Sequence, residues 1–258
     1  MIKEETKFQE STVFEGMTSI RAILKSYEAK TNDRKIKEII FDKDKYRKNV
    51  KEIGYLKAVS SKFDFKIKES TAEEIENLTI GNSHGGIICI AEKRTLPCLS
   101  DASDDIDPNG FYCMIQGIED PYNFGYSLRS LYACGCSGII LPARNWMSAA
   151  GVVARSSAGA SELFKIYVAE PEEAIDFFKS RNYTTVCADE NTDNILGKCD
   201  LKLPLFLIVG GEKRGISQSI IDKADLLVKI DYKREFRASL SAASATTMFA
   251  YEISRQNS

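Results

Sequence analysis

The chain has 258 residues, 43% of them hydrophobic and 28% charged, with a formal net charge of −2. That is enough apolar material for one large or two modest domains, and it excludes a polycation, so a nucleic acid would have to be held by a local patch. One histidine, His84, excludes a His-rich zinc site and leaves any Ser-His or Cys-His nucleophile dependent on a residue that reads better as a loop or strand-edge histidine.

Seven cysteines without a C-x-x-C pair predict free thiols in a reducing cytoplasm. The polar start of the chain predicts no signal peptide. No apolar run approaches the roughly 20 residues of a membrane helix, so no membrane association is expected.

Along the chain, Met17–Ala29 and Lys51–Phe63 carry helical apolar spacing, and Ile36–Asp44, Phe65–Ser70 and Gly85–Glu92 contain short strands. Thr71 opens a helix to Leu78 with Glu74 at the capping-box position. These elements predict a small α/β domain over residues 1–95. The acidic stretch 96–110, rich in Ser, Asp, Pro and Gly, reads as a linker. Net charge is +3 up to Arg94 and −5 beyond, so the first domain is the more cationic.

From 111 to 258 strands and helices alternate. Strands are predicted in Phe111–Gly117, Ser137–Pro142, Phe164–Ala169, Thr184–Asp189, Leu205–Gly211 and Leu226–Asp231. Helices are predicted in Phe124–Ala133, Ala149–Ser157, Pro171–Arg181, Ser217–Ala224 and about Ser239–Gln256. Short continuous apolar strands joined by helices imply a parallel sheet covered on both faces, with ligands at the carboxyl ends of its strands.

Three segments stand where such chemistry would gather. DPYNFGYSLR (Asp120–Arg129) places Asn123 in a loop after the first strand and Arg129 in the following helix. IVGGEKRGIS (Ile208–Ser217) ends a strand on two glycines, which let a backbone approach a ligand. It is neither G-x-G-x-x-G nor a Walker loop, so a nucleotide phosphate site is poorly supported. In the third segment, Ser239, Ser241 and Ser244 open the last helix, preceded by Lys229, Lys233, Arg234 and Arg237, a phosphate-sized basic patch or a solvated loop.

Together the segments resemble the SpoU (TrmH-type) family of SPOUT RNA 2′-O-ribose methyltransferases. Its D-P-x-N-x-G motif with an arginine four residues after the glycine is matched by DPYNFGYSLR, and its G-x-E-x-x-G by Gly210, Glu212 and Gly215. Its S-L-N start and Y-E-like end of the last helix correspond to SLS (Ser239–Ser241) and Tyr251–Glu252. ARSSAGASEL (Ala154–Leu163) is similar to its S-x-G-A segment. Residues 1–95 are more loosely similar to its ribosomal-protein-like substrate-binding domain. Two departures stand out: Ile230-Asp231-Tyr232 where the family has I-P-M, and Ser241 for the asparagine of S-L-N.

The resemblance implies a C-terminal trefoil knot, a homodimer, S-adenosylmethionine as methyl donor without a metal, and a ribose 2′-hydroxyl of RNA as acceptor. Ribosomal RNA is favoured over transfer RNA because of the separate first domain; a non-catalytic RNA-binding or ribosome-assembly protein of the same fold is the alternative. It assigns Asn123, Arg129, Glu212 and Ser239 to catalysis, with Arg129 gripping an RNA phosphate and orienting the hydroxyl. Backbone groups around Ala188, Gly210, Gly211, Ile230, Ser239 and Leu240 would hold the cofactor. Arg155, Lys233, Arg234 and Arg237 would meet RNA phosphates.

Overall fold

Period-two alternation organises the first part of the chain: Ile39 and Phe41 enter one core and Ile40, between them, enters another. The structure, a computed structural model, describes residues 12–81, 84–118, 120–143, 145–211, 215–236 and 238–258. The chain divides into two units, Met1–Thr95 with Trp146–Leu163 and Leu96–Asn145 with Phe164–Ser258.

In the first unit, β1 (Val13–Glu15), β2 (Ile36–Asp42), β3 (Lys66–Ser70) and β4 (Ile87–Ala91) form a sheet in the order β1-β4-β2-β3. β2 and β3 are parallel and the other pairs antiparallel. Helices α1 (Gly16–Glu28) and α2 (Val50–Phe63) bury Ile20, Ile23, Ile53 and Leu56 against Phe14, Ile39 and Phe41. α3 (Ala72–Leu78) covers Ile40 and Ile88 with Ile75. Thr71 caps α3 as its sequence predicts, Oγ1 accepting from the Glu74 N–H at 3.2 Å.

Trp146–Leu163, which the sequence reading places in the C-terminal domain, belongs to this first unit. It carries two short helices, Ala150–Ser156 and Ala160–Leu163. The reason is apolar and ionic. Ala150 and Ala154 complete the α1 core. Glu162, fully buried, accepts from Arg34 Nε at 2.8 Å. Arg34 also reaches the Glu92 carbonyl at 2.6 Å and lies over the Phe14 ring. Arg94 donates to the Ser161 carbonyl, and burial lowers its pKa to about 10, still charged at neutral pH. Removing one partner of such a pair leaves a buried charge and costs roughly 3–5 kcal/mol. Glu162→Gln should lower the urea-unfolding free energy of the full chain by about that amount.

In the second unit all strand pairs are parallel. β5 (Phe111–Ile115), β6 (Gly138–Leu141), β7 (Lys165–Val168), β8 (Thr184–Ala188), β9 (Leu205–Val209) and β10 (Leu226–Val228) lie in the order β10-β8-β9-β5-β6-β7. Every residue of β5 and β9 is buried, as the continuous apolar runs predict. The helices are α4 (Pro121–Ala133), α5 (Pro171–Lys179), α6 (Gln218–Ile221) and α7 (Ala242–Gln256). Phe178 of α5 stacks on Phe206 of β9 at 4.2 Å.

Residues 96–110 are built into this unit rather than forming an open linker. Leu99–Asp105 is a 3-10 helix, and Leu99, Ala102 and Ile106 enter the core. The Tyr112 hydroxyl accepts from the Asp107 N–H at 3.0 Å, and the Tyr183 hydroxyl donates to the Asp107 carbonyl.

The end of α7 is pinned by Glu252. Its carboxylate takes Arg255 Nε at 2.8 Å and Nη2 at 2.7 Å, and Gln256 Nε2 at 2.7 Å. Gln256 in turn accepts from Leu201 N at 2.9 Å and donates to the Cys199 carbonyl at 3.0 Å. The Arg255 hydrogen bond chiefly lowers the Glu252 pKa to about 2, opposed by burial and helped by Gln256. A carboxyl with a depressed folded pKa stabilises fully above its unfolded value of about 4.5 and loses that contribution as pH falls through about 2. Arg255 is half exposed, so Glu252→Gln should cost only about 1 kcal/mol at pH 7, with the gap from wild type closing in urea titrations run from pH 4.5 down to pH 2.

Candidate active site

The carboxyl ends of β8, β9 and β10 open on one side into a cleft of 630 Å³, closed by the start of α7. This is the strand end where parallel α/β sheets collect ligands, and the volume lies within the usual range of small-molecule sites. Ala188, Gly210, Gly211, Ile230, Ser239 and Leu240 all line it.

The turn after β9 holds two glycines for a steric reason. A Cβ on Gly211 would stand 1.8 Å from the Gly117 carbonyl oxygen. One on Gly210 would stand 2.5 Å from the Gly215 carbonyl carbon, and both obstacles are backbone. Gly215, at φ +61°, returns its N–H to the Gly211 carbonyl at 2.9 Å. Glu212, the acidic residue assigned to this turn, lies outside the described residues, as does Arg237.

Opposite the turn, Asp189 follows β8 and accepts from Asn191 N at 2.8 Å, which shapes the loop. Tyr232 closes the far rim. Its hydroxyl accepts from the Leu240 N–H at 3.1 Å, and its ring meets Phe236 edge-on at 6.0 Å. The Leu240 N–H, predicted as a cofactor contact, is therefore already engaged by Tyr232. Ile216, Leu240 and Phe249 give the cleft an apolar wall, and Asp189, Asn191 and Ser239 a polar one. Sequence reading misses Tyr232 and Phe249: one stands in a departure from the family pattern, and the other looks like an ordinary core position of α7.

Ser241, not Ser239, is the N-cap of α7, accepting from Ser244 N at 3.2 Å. The helix therefore starts three residues later than predicted and leaves Ser239 exposed on the cleft rim. Asp231 pairs with Lys233, which holds its carboxyl below the usual range. Lys233 and Arg234 are exposed beside it.

Asn123 and Arg129 both lie on α4, outside the cleft lining. Asn123 is not in a loop. Asp120 caps the helix by accepting from Asn123 N at 2.8 Å, and Pro121 starts it, so Asn123 sits in the first turn. Six residues of helix separate the two by about 9 Å along the axis and by about a third of a turn, so bringing them to one ribose requires the length of the Arg129 side chain. Arg129 is exposed and makes no ion pair among the described residues. α4 packs along α7, with Thr247 Oγ1 donating to Ser130 Oγ at 2.7 Å. Arg155 is placed in the first unit, where Glu15 takes its Nη1 at 2.6 Å. That ion pair occupies a guanidinium predicted to meet RNA.

All seven cysteines are free, and among the described residues no group of three or more His, Cys, Asp or Glu could hold a metal. No described helix is long and apolar enough to cross a membrane.

A parallel α/β domain with a glycine-lined cleft at its strand ends belongs to the ligand-binding class of such sheets. Residues 110–251 match the sequence model of the SpoU rRNA Methylase family, and the chain belongs to that family. YacO of Bacillus subtilis (strain 168), assigned to the TrmH family of tRNA/rRNA methyltransferases, is 26% identical over 71% of this chain and 75% of its own length. A TrmH-family protein of Staphylococcus haemolyticus (strain JCSC1435) is 30% identical over 55% of this chain and 57% of its own. The fold is shared with the crystal structure of an RNA 2′-O ribose methyltransferase, at a TM-score of 0.76 and 20% identity over 99% of this chain and 92% of that one. It is shared also with the AdoMet-bound rRNA methyltransferase from Sinorhizobium meliloti, at a TM-score of 0.75 and 23% identity over 98% and 89%.

Gly211→Ala should lose the turn altogether, because the obstacle is main chain. Its expected signature is a drop in melting temperature of several degrees together with loss of ligand-induced stabilisation; an unshifted melt would contradict the predicted clash.

Proposed function

We propose that the chain is an S-adenosylmethionine-dependent methyltransferase acting on a ribose 2′-hydroxyl of RNA, with ribosomal RNA preferred to transfer RNA. The observation that carries this reading is the convergence of Ala188, Gly210, Gly211, Ile230, Ser239 and Leu240 on one cleft. Its mixed lining suits the cofactor: the apolar wall of Ile216, Leu240 and Phe249 fits an adenine, and the polar edge at Asp189, Asn191 and Ser239 fits hydroxyl, amino and carboxyl groups. When bound, S-adenosylmethionine supplies a methyl group on a sulfonium, and no metal is needed.

The chain's own residues then have to bind and align. Arg129, exposed and without an ion pair among the described residues, is suited to grip an RNA phosphate and orient the ribose hydroxyl. Asn123 would fix the ribose from the start of α4, and Glu212 would orient one of the two. Lys233 and Arg234 would meet further phosphates, with Lys233 released from Asp231 as it does so. Alignment of this kind supplies on the order of 7–11 kcal/mol of a barrier.

A homodimer belongs to the same reading. Tyr126 of α4 and Met248 and Tyr251 of α7 are exposed at 48, 42 and 64%, a large apolar surface for neighbouring helices to leave in water. So do a cytoplasmic location, which suits seven free thiols, and a trefoil knot formed by the segments that line the cleft.

The test is methyl transfer from labelled S-adenosylmethionine to total ribosomal RNA and, separately, transfer RNA. Wild type should label ribosomal RNA at a linkage that then resists alkaline cleavage. Arg129→Ala should lower kcat by 100-fold or more while cofactor affinity, read by calorimetry, stays within about two-fold. Absence of cofactor binding by wild type would sink the reading. Cofactor binding without transfer to any RNA would leave a non-catalytic RNA-binding protein of the same fold.

A further inference from the structure

We propose that Tyr232 is a latch on the cleft: its hydroxyl takes the place of a ligand acceptor and gives way when the cofactor enters. This deepens the reading above and rests on S-adenosylmethionine binding in the cleft. Residues 230–236 lie outside helix and strand, and Ile230, Asp231 and Tyr232 line one side of the cleft. Leu240, just ahead of the Ser241 cap of α7, lines it too. The Tyr232 hydroxyl joins the two by accepting from the Leu240 N–H at 3.1 Å. A main-chain donor on the cleft wall is thus covered by a phenol of the same loop, so Tyr232 and a ligand acceptor compete for it.

The bond is of a kind that can open. Tyr112 and Tyr183 are struts by comparison, 2 and 3% exposed with their rings packed on Phe178. Tyr232 is 40% exposed, and the Phe236 ring it meets edge-on is itself exposed. Its hydroxyl accepts one hydrogen bond and donates none among the described residues. A neutral hydrogen bond at a solvated site contributes little net, because water can replace it on either group. A ligand acceptor that arrives with apolar surface buried on Ile216 and Phe249 therefore displaces the phenol. The family pattern I-P-M has methionine at this position, a thioether that accepts only weakly, so the competition belongs to this chain. A site whose donor is covered for part of the time binds more weakly in proportion. The same reduction applies to the demethylated product, S-adenosylhomocysteine, which presents the same adenosine. The latch thus loosens donor and product alike and favours exchange of one for the other.

The experiment is calorimetry of the full chain with S-adenosylmethionine and with S-adenosylhomocysteine, together with amide hydrogen exchange at Leu240 read by NMR. It compares wild type with Tyr232→Phe and Tyr232→Met. Both variants should bind both ligands about 3- to 10-fold more tightly than wild type. Exchange at Leu240 without ligand should quicken by a similar factor, because one equilibrium governs both readings. Melting temperatures should stay within about 2 °C of wild type, as expected of a half-exposed side chain. A strut or a direct cofactor contact predicts the opposite sign, weaker binding in the variants, and that result would overturn the latch. Unaltered exchange at Leu240 would overturn it as well. Cofactor binding by wild type with no gain in either variant removes the latch alone. No cofactor binding by wild type or either variant removes the methyltransferase reading, and the latch with it.

Discussion

Backbone against backbone at Gly211 and Gly117 is the contact on which the second unit's site depends. β5 and β9 pair as far as Ile115 and Val209, and the Gln116 N–H still reaches the Val209 carbonyl at 3.2 Å. Immediately beyond, the two chains must part while pressed together, and no side chain fits between them. Gly117, at φ +69°, turns away toward the Asp120 cap of α4, and Gly210–Gly211 turn toward Gly215. The carboxyl ends of two central strands thus leave in different directions, the local condition for a cleft in a parallel sheet.

What borders the cleft on its other side is held by side-chain caps rather than by sheet pairing. Ser241 starts α7, and Tyr232 fastens the preceding loop to Leu240. Both stand where the chain departs from its family's pattern, and both have a structural task here. Ser is as good an N-cap as Asn, so the exchange at 241 preserves the helix start. The Tyr232 hydroxyl, conversely, takes over a main-chain donor at Leu240. The departure at Tyr232 thus changes a polar group that faces the cleft, while the one at Ser241 leaves the helix start in place.

The sheet was legible because its strands are short, continuous and apolar, a pattern that burial on both faces produces. Other features were hidden for identifiable reasons. β1 is three residues long, too short to show alternation. Leu99, Ala102 and Ile106 carry helical spacing, but four aspartates among and beside them mask it. The start of α4 was misplaced because Asp-Pro reads as a turn, whereas here the two residues are N-cap and first helical position. The membership of Trp146–Leu163 in the first unit rests on Arg34, Arg94 and Glu162, charged residues far apart in sequence whose joint burial no local pattern announces. Contiguous motifs gave the cleft lining, while the partners of single cations, such as Glu15 for Arg155, required the fold.

His84 bears on how the proposed chemistry can run. It is buried, and its Nδ1 accepts from the Gly86 N–H at 3.1 Å, fixing the turn into β4 within the first unit. The imidazole is thereby spent on structure, in the unit that does not contain the cleft. Three buried cysteines do not help: burial raises the thiol pKa of Cys113, Cys136 and Cys187, the last to about 12, so none of these three is a thiolate at neutral pH. A guanidinium, with a pKa above about 12, is a poor base as well. The reaction proposed above therefore leans on positioning, the role given there to Arg129 and Asn123. In that proposal Arg129 would serve as a donor that fixes a phosphate, and the hydroxyl proton would leave by way of that phosphate or water once oxygen and methyl carbon are in line.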